Sequence, residues 1–314
     1  MTTFTKLLTG SLLCVLALFT VRSAAAAPQA GASKVPITTV VTALGPSYTA
    51  PPPLAKEDII VHTGNTREDV KAWVPAQGDH SALELAILID DIIETTTLGN
   101  QLGDIRKFIQ AQPKTTSVGV FYANEGRAQA VSPFTNDHDA AAKSVRLTLG
   151  DGASASIYLS LMDLFAKWKP TTARREVLVI ADGIDRFRGD PFSPDVPLTI
   201  ERAQKAGVMI HTLYARGAGR TARNLFRSNY GQSNLAQMTD GTGGESFFQG
   251  LDTPISFSPF LEQLDMVLHN QYFLTFTTAA SAKPKGQLRG FRVNTEQRNV
   301  EISAARMVLV PGPK

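Results

Sequence analysis

Short apolar runs alternate with segments of helical periodicity between residues 83 and 270. The runs are almost continuously apolar, as in strands that a parallel sheet buries on both faces. Between them, apolar residues recur every three or four positions, which indicates amphipathic helices. The alternation predicts an α/β fold with a doubly wound, mostly parallel sheet. The predicted strands are 83–89, 117–122, 128–134, 176–181, 208–214 and 245–248, and the predicted helices are 98–112, 137–147, 156–168, 198–206, 233–242 and 257–269.

Both ends of the chain have a different pattern, dominated by β-branched and alternating residues. We divide the chain into an N-terminal β-rich segment (27–82), the α/β domain (83–270) and a C-terminal β segment (271–314). We expect the two β segments to pair into a small annex beside the α/β core. The strands predicted in them are 35–43, 57–62, 69–74, 271–277, 290–295 and 307–310.

The first 26 residues have the pattern of a secretory signal peptide. Lys6 precedes an apolar run over residues 7–21, and four alanines follow at 24–27. The run is shorter than the about 20 residues that a membrane span needs. We therefore expect export to the periplasm or the medium, with no membrane insertion after cleavage. The single cysteine, Cys14, lies inside this run, so the mature chain would contain no thiol.

Composition and motifs argue against several functional classes. The formal net charge of +3 is too small for a generic nucleic-acid-binding domain, which is usually strongly basic. The chain has no Gly-x-Ser-x-Gly elbow and no Gly-x-Gly-x-x-Gly turn after a strand. Its five histidines are scattered without metal-ligand spacing. We therefore predict a protein that is not an enzyme and binds no nucleic acid.

Carboxylates follow two of the predicted buried strands. Asp90 and Asp91 end the first strand, and Asp182 precedes Gly183 after the strand at 176–181. In an open α/β sheet, ligands bind at the carboxyl ends of the strands. A serine-bearing turn at 150–156 opens a helix between them. Three oxygen-bearing loops at one edge predict a site for Mg²⁺ or another divalent cation.

The region 83–270 resembles the von Willebrand factor type A domain. The phrases that carry the resemblance are 175–183 (REVLVIADG), 203–213 (AQKAGVMIHTL) and 235–248 (LAQMTDGTGGESFF). The flanks at 54–59 and 270–274 resemble exported proteins described as von Willebrand-related and common in acidobacteria. In that family, an Asp-x-Ser-x-Ser motif, a Thr or Ser on a second loop and a later Asp form a metal-ion-dependent adhesion site.

This chain departs from that motif. Residues 90–94 read Asp-Asp-Ile-Ile-Glu, so both serines are missing. The metal ligands that the resemblance implies are Asp90, Glu94, Ser154 and Asp182, with Ser156 as an alternative to Ser154. In the other interpretation, the carboxylates cap loops and helix starts, and no metal binds.

Two long segments leave strands at the same edge, at 184–194 and 216–230. Both mix arginines with aromatic residues, which is the composition of binding hot spots. We predict loops that contact a protein partner, although their aromatic rings could instead pack back onto the core. The candidate partner-binding residues are Phe187, Arg188, Phe192, Arg216, Arg220, Arg223, Phe226, Arg227 and Tyr230.

These observations predict an exported adhesion-type module that binds a protein through the loop edge of its α/β domain. Two alternatives remain open. A metal-dependent hydrolase would use the same carboxylates to activate water. A structural envelope or assembly component would associate through an exposed strand edge of the annex.

Overall fold

The computed structural model describes residues 33–187, 193–248, 250 and 252–312, so the predicted signal peptide lies outside the described residues. Within these ranges no helix is long and apolar enough to cross a membrane. The strands are β1 (Lys34–Leu44), β2 (Ile59–Thr63), β3 (Thr66–Pro75), β4 (Leu83–Asp90), β5 (Thr116–Asn124), β6 (Arg127–Thr135), β7 (Arg174–Ala181), β8 (Val208–Tyr214), β9 (Ser246–Phe247), β10 (Gln271–Ala279), β11 (Gln287–Thr295), β12 (Glu301–Ala304) and β13 (Met307–Val310). The α-helices are α1 (Thr95–Ala111), α2 (His138–Ser144), α3 (Ile157–Lys167), α4 (Asp195–Ala206), α5 (Gly219–Ala222), α6 (Leu225–Thr242) and α7 (Ser258–His269).

The core sheet has the order β6-β5-β4-β7-β8-β9. Every neighbouring pair is parallel except the hairpin of β5 with the edge strand β6. The chain order therefore reverses between β4 and β7, which lie side by side in the middle of the sheet. A reversal of this kind opens a crevice at the carboxyl ends of the two strands. The predicted doubly wound, mostly parallel sheet is confirmed.

Alternate residues of β4 enter different hydrophobic layers, because successive side chains of a strand point to opposite faces. Leu85, Ile87 and Ile89 pack into the layer that includes residues of α1, α2 and α7. Ala86 and Leu88 pack into the layer that includes residues of α3, α4 and α6. All five are fully buried. This two-sided burial fixes the strand, and with it the position of the carboxylates at its end.

The second sheet combines strands from both ends of the chain, in the order β12-β1-β10-β3-β2-β11-β13. Its neighbouring strands are antiparallel, and β1 pairs with β10 over residues 34–42 and 271–279. A hydrophobic cluster of its own includes Val41, Val61, Leu274 and Phe276.

Helix α6 begins at Leu225, where the sequence analysis predicted a loop over 216–230 and a helix only from 233. That prediction was wrong because residues 228–234 are mostly polar and give no apolar stripe. The start signal is Asn224, whose side chain accepts a hydrogen bond from the backbone N–H of Arg227. This is the usual role of asparagine at a helix N-cap. The short strand β12 was also missed.

Candidate binding site at the carboxyl edge of the core sheet

Two buried carboxylates meet where the strand order reverses. Asp90 is the last residue of β4, and Asp182 directly follows β7. Both side chains are almost completely buried. Burial, and after it the negative charge of Asp182, raise the pKa of Asp90 from 3.8 to about 7. The two acids lie at one sheet edge, as predicted.

The guanidinium of Arg186 pairs with Asp182 through both of its terminal nitrogens. Nη1 donates to Oδ1 at 2.9 Å and Nη2 donates to Oδ2 at 2.5 Å. Arg186 is itself largely buried, at 12% side-chain exposure. Burial acts to lower the pKa of Arg186, but the nearby Asp182 and Asp90 raise it overall. Asp182 therefore already faces a fixed positive charge.

Two backbone N–H groups complete the surroundings of Asp182. The N–H of Ile184 donates to Oδ1 at 3.0 Å, and the N–H of Gly217 donates to Oδ2 at 3.2 Å. A side chain at position 217 would overlap both Asp182 Oδ2 and Arg186 Nη2, so the backbone approaches the ion pair closely only because this residue is glycine. With two guanidinium donors and two backbone donors, both oxygens of Asp182 are fully used.

Asp91 has its own arginine. Arg146 donates to both carboxylate oxygens of Asp91, each at 2.9 Å, and its guanidinium lies 3.8 Å from the ring centroid of Tyr122. Asn124 and the backbone N–H of Leu149 also donate to Asp91. This bidentate pair ties the loop before α3 to the end of β4.

The other two predicted metal ligands have different surroundings. Glu94 accepts a hydrogen bond from Thr97 and lies 3.5 Å from Arg216, which also pairs with Asp252. Ser154 is exposed. The buried Ser156 caps α3 by accepting from the N–H of Leu159. In the described ranges, no three His, Cys, Asp or Glu side chains are grouped to hold a metal ion. The arrangement does not fit a divalent cation held by Asp90 and Asp182, because no oxygen of Asp182 is free.

The pKa of Asp90 predicts a pH-dependent stability. Between about pH 4 and pH 7 the folded chain keeps a proton that the unfolded chain releases, so stability falls as pH rises through this window and then levels off. Asp90→Asn removes the titration and keeps an oxygen for the N–H of Ile92. We expect it to stabilise the chain by about 2 kcal/mol at pH 8.5 and to have little effect at pH 4. Denaturant unfolding at both pH values measures this.

Asp182→Asn is the matched control for that measurement. It weakens the pairing of a largely buried guanidinium, so we expect destabilisation of about 3 kcal/mol at either pH. A destabilising effect of Asp90→Asn at pH 8.5 would contradict the raised pKa of Asp90, because the substitution removes a buried charge at that pH.

Several predicted partner-binding residues lie exposed at this edge. Phe187 is exposed in the loop after Asp182. Phe226 lies in the first turn of α6 and is 61% exposed, and its ring makes an edge contact with the ring of Tyr230. Arg220 and Arg223 are exposed. Arg216 and Arg227 are half-buried, and Arg216 is engaged by Glu94 and Asp252. Arg188 and Phe192 lie outside the described residues.

Further exposed apolar side chains at this edge were missed by the sequence analysis. Leu147 and Leu149 lie on the loop that Asp91 holds, and Leu225 begins α6. Ile255 is fully exposed on the segment after β9, where its carbonyl accepts from Gln101. The sequence offered one signal for them. These residues are apolar, yet they stand between the end of a strand and the next helix, where a solvent-exposed loop needs no apolar side chain.

The strand order, with Asp90 ending the first core strand and Asp182-Gly183 following the fourth, is that of a doubly wound α/β sheet. The core agrees with the von Willebrand A-like fold that the sequence predicts. Arg186, Arg146 and Gly217 are the features of this A-type core that the sequence analysis did not single out. Because of them, arginines contact Asp91 and Asp182 at the edge where the sequence predicted a metal site.

No protein-family model matches the chain, and no curated protein matches it. Among solved structures, it is similar to an aerotolerance-related membrane protein from Bacteroides fragilis, with 13% identity over 60% of this chain and 98% of that one, at a TM-score of 0.44. It is also similar to the manganese-loaded TRAP protein of Plasmodium vivax, with 9% identity over 79% and 98% of the two chains, at a TM-score of 0.42.

A third similar structure is proximal thread matrix protein 1 from the mussel byssus with a zinc-occupied MIDAS motif. The identity is 12% over 66% of this chain and 49% of that one, at a TM-score of 0.41, so the match spans about half of that protein. At these identities the likeness concerns the fold alone. The narrower resemblance to exported proteins of acidobacteria stays a prediction.

Proposed function

We propose that the chain is an exported, non-enzymatic protein-binding module whose contact surface is the carboxyl edge of the core sheet. The observation that carries the proposal is the clustering of exposed apolar side chains there. In the described ranges, ten large hydrophobic residues are exposed, and six of them lie on segments at this edge. Clustered exposed apolar residues are typical of interaction sites, whereas single ones are not. The six are Leu147, Leu149, Phe187, Leu225, Phe226 and Ile255.

The charge around these residues favours an acidic partner. Arg220 and Arg223 are exposed beside Leu225 and Phe226, and the carboxylate of Asp151 lies against Gly219 of α5. Arginine and aromatic side chains contribute most of the affinity in many interfaces. An arginine-rich rim would also speed the encounter with a negatively charged surface at low salt.

The state of the carboxylates supports a binding function over hydrolysis. Asp91 and Asp182 are each held by a bidentate arginine, and Asp90 is buried. A hydrolase that activates water needs an accessible base or an open metal position. In the alternative form of this binding proposal, the Mg²⁺ site that the sequence predicts would bind a carboxylate of the partner through the metal. We favour direct contact because the oxygens of Asp182 are already occupied.

The test compares two variants of residues 27–314. Leu225→Ser with Phe226→Ser removes the apolar centre of the proposed surface. Met266→Ser changes an exposed methionine near the C-terminal end of α7, at the opposite edge of the core sheet, where Arg174 at the start of β7 donates to the carbonyl of Leu268. Each protein is immobilised and exposed to envelope and secreted fractions of the source cells, and the retained proteins are quantified. We expect the wild type and Met266→Ser to retain the same partner, and the edge variant to retain at least about tenfold less of it. Equal retention by all three would contradict the proposal.

A further inference from the structure

We propose that the guanidinium of Arg186 is the built-in counter-cation of this edge and takes the role that a divalent metal ion would otherwise have at Asp90 and Asp182. Two buried carboxylates at adjacent strand ends repel each other and need a nearby positive charge. Arg186 supplies this charge, because its guanidinium makes a bidentate contact with Asp182. The inference concerns the charge balance of the edge itself and does not depend on the proposed partner.

The bonding of Asp182 carries the argument. A carboxylate has about four lone-pair sites, and Asp182 accepts four hydrogen bonds: two from Arg186 and one each from the N–H groups of Ile184 and Gly217. No lone pair is left for a metal ion while the arginine is in place. The planar fork of a guanidinium matches a carboxylate through two parallel bonds, which a lysine could not provide.

The surrounding backbone fits this arrangement. Gly217 lies against both Arg186 Nη2 and Asp182 Oδ2, with no room for a side chain. The segment is held there by an isolated bridge between Gly217 and Ile93 and by a hydrogen bond from the N–H of Ala215 to the carbonyl of Ala181. Arg186 also donates to the carbonyl of Ile184. The guanidinium therefore occupies a closed position built from three loops.

If the proposed function is also correct, partner binding at this edge needs no divalent cation and resists chelation. The guanidinium is part of the chain, so a chelator cannot remove it and dilution cannot dissociate it. The edge would then hold a permanent positive charge beside Asp182, whereas a metal-dependent site holds its cation only when loaded.

The experiment removes the guanidinium and offers Mn²⁺ in its place. Arg186→Ala, stripped with chelator, should unfold at a lower temperature than the wild type. Mn²⁺ should then raise its unfolding midpoint by roughly 3–6 °C at about tenfold its dissociation constant. The wild type should show no such rise, and Arg220→Ala, which removes an exposed arginine at the same edge, should behave like the wild type.

A second variant keeps the test decisive if Arg186→Ala folds poorly. Arg186→Ala with Asp182→Asn removes the unpaired carboxylate, so it should be more stable than Arg186→Ala alone and should lose the response to Mn²⁺. Three results would overturn the proposal: a wild-type chain that responds to Mn²⁺ as strongly as Arg186→Ala, an Arg186→Ala chain as stable as the wild type without metal, or no Mn²⁺ response in Arg186→Ala.

Discussion

Gly231→Ala is expected to destabilise the chain by at least about 3 kcal/mol, although alanine is the better helix former. Gly231 lies in the second turn of α6, where the helix meets the backbone that follows β7. A Cβ atom there would overlap the carbonyl oxygen of Asp182 and lie 3.0 Å from the side chain of Ile184. Backbone atoms cannot move aside as a flexible side chain can. Helix and loop would have to separate, and the position of Asp182 would be lost.

Gly103→Ala is the matched control, because it makes the same change in another helix. Gly103 is exposed on α1, and a Cβ atom there would meet nothing within 4 Å. We expect it to stabilise the chain by about 0.5–1 kcal/mol, through helix propensity and a less flexible unfolded state. Denaturant unfolding of both variants gives the comparison. Changes of the same sign would mean that the contact between α6 and the β7 loop is not close-packed.

The same contact explains the Asp-Gly sequence after β7. Gly183 has a positive φ of 73°, and a Cβ atom there would overlap the carbonyl oxygen of Gly231. The carbonyl of Gly183 accepts hydrogen bonds from the hydroxyl of Tyr158 and the amide of Asn234. Two glycines facing each other therefore let α6 approach the loop that carries Asp182. The sequence analysis identified Gly183 as part of a motif, but the steric reason depends on Gly231, which is distant in the chain.

The fold could be predicted where buried residues recur at a regular spacing along the chain. The strands β4, β5, β7 and β8 are apolar on both faces, so their positions and their shared edge followed from the sequence. The start of α6 could not be predicted in this way. Its buried face is formed by Gly231, Ser228 and Asn234 and has no apolar stripe. Polar and glycine contacts of this kind look like a loop until the neighbouring element is known.

The candidate site was predictable in its acids but not in its cations. Asp90 and Asp182 follow apolar strands, and that local signal places them. Arg186 follows Asp182 by four residues in a loop, where nothing local distinguishes a buried arginine from an exposed one. Arg146 is separated from Asp91 by 55 residues, so their pairing depends on the packing of two loops. A sequence pattern can therefore predict where negative charge collects, but not which charge neutralises it.

Arg174→Met is expected to destabilise the chain by about 3–5 kcal/mol, because it breaks a buried ion pair from one side. Arg174 begins β7 at 5% exposure and donates to the carbonyls of Leu268 and Ser81 and to the side chain of Gln271. Its Nη1 lies 3.6 Å from Oε1 of the buried Glu176, an oxygen that accepts no hydrogen bond. Gln271 begins β10, so this network joins the core sheet to the second sheet. Methionine fills a similar volume but leaves these groups without their donor.

The loss should be larger at pH 7 than at pH 4. Although burial acts to raise the pKa of Glu176, its hydrogen bond from His211 and the charge of Arg174 lower it below 4.5 overall. The stability from Glu176 is therefore present above pH 4.5 and is lost as pH falls through the lower folded pKa. Without Arg174 the pKa of Glu176 rises, so the variant loses this contribution at a higher pH. Unfolding at the two pH values measures the difference.

Arg175→Met is the matched control for the buried arginine. Arg175 is the next residue of β7, is half-buried and donates to the carbonyl of Ala206. We expect it to cost about 1 kcal/mol, the usual net value of one hydrogen bond, with no difference between the two pH values. Arg174→Met with Glu176→Gln should recover part of the loss, since it removes the charge that was left unpaired. Equal losses from Arg174→Met and Arg175→Met would mean that the buried pair contributes no more than one surface hydrogen bond. The Arg174 network would then contribute little to holding the two sheets together.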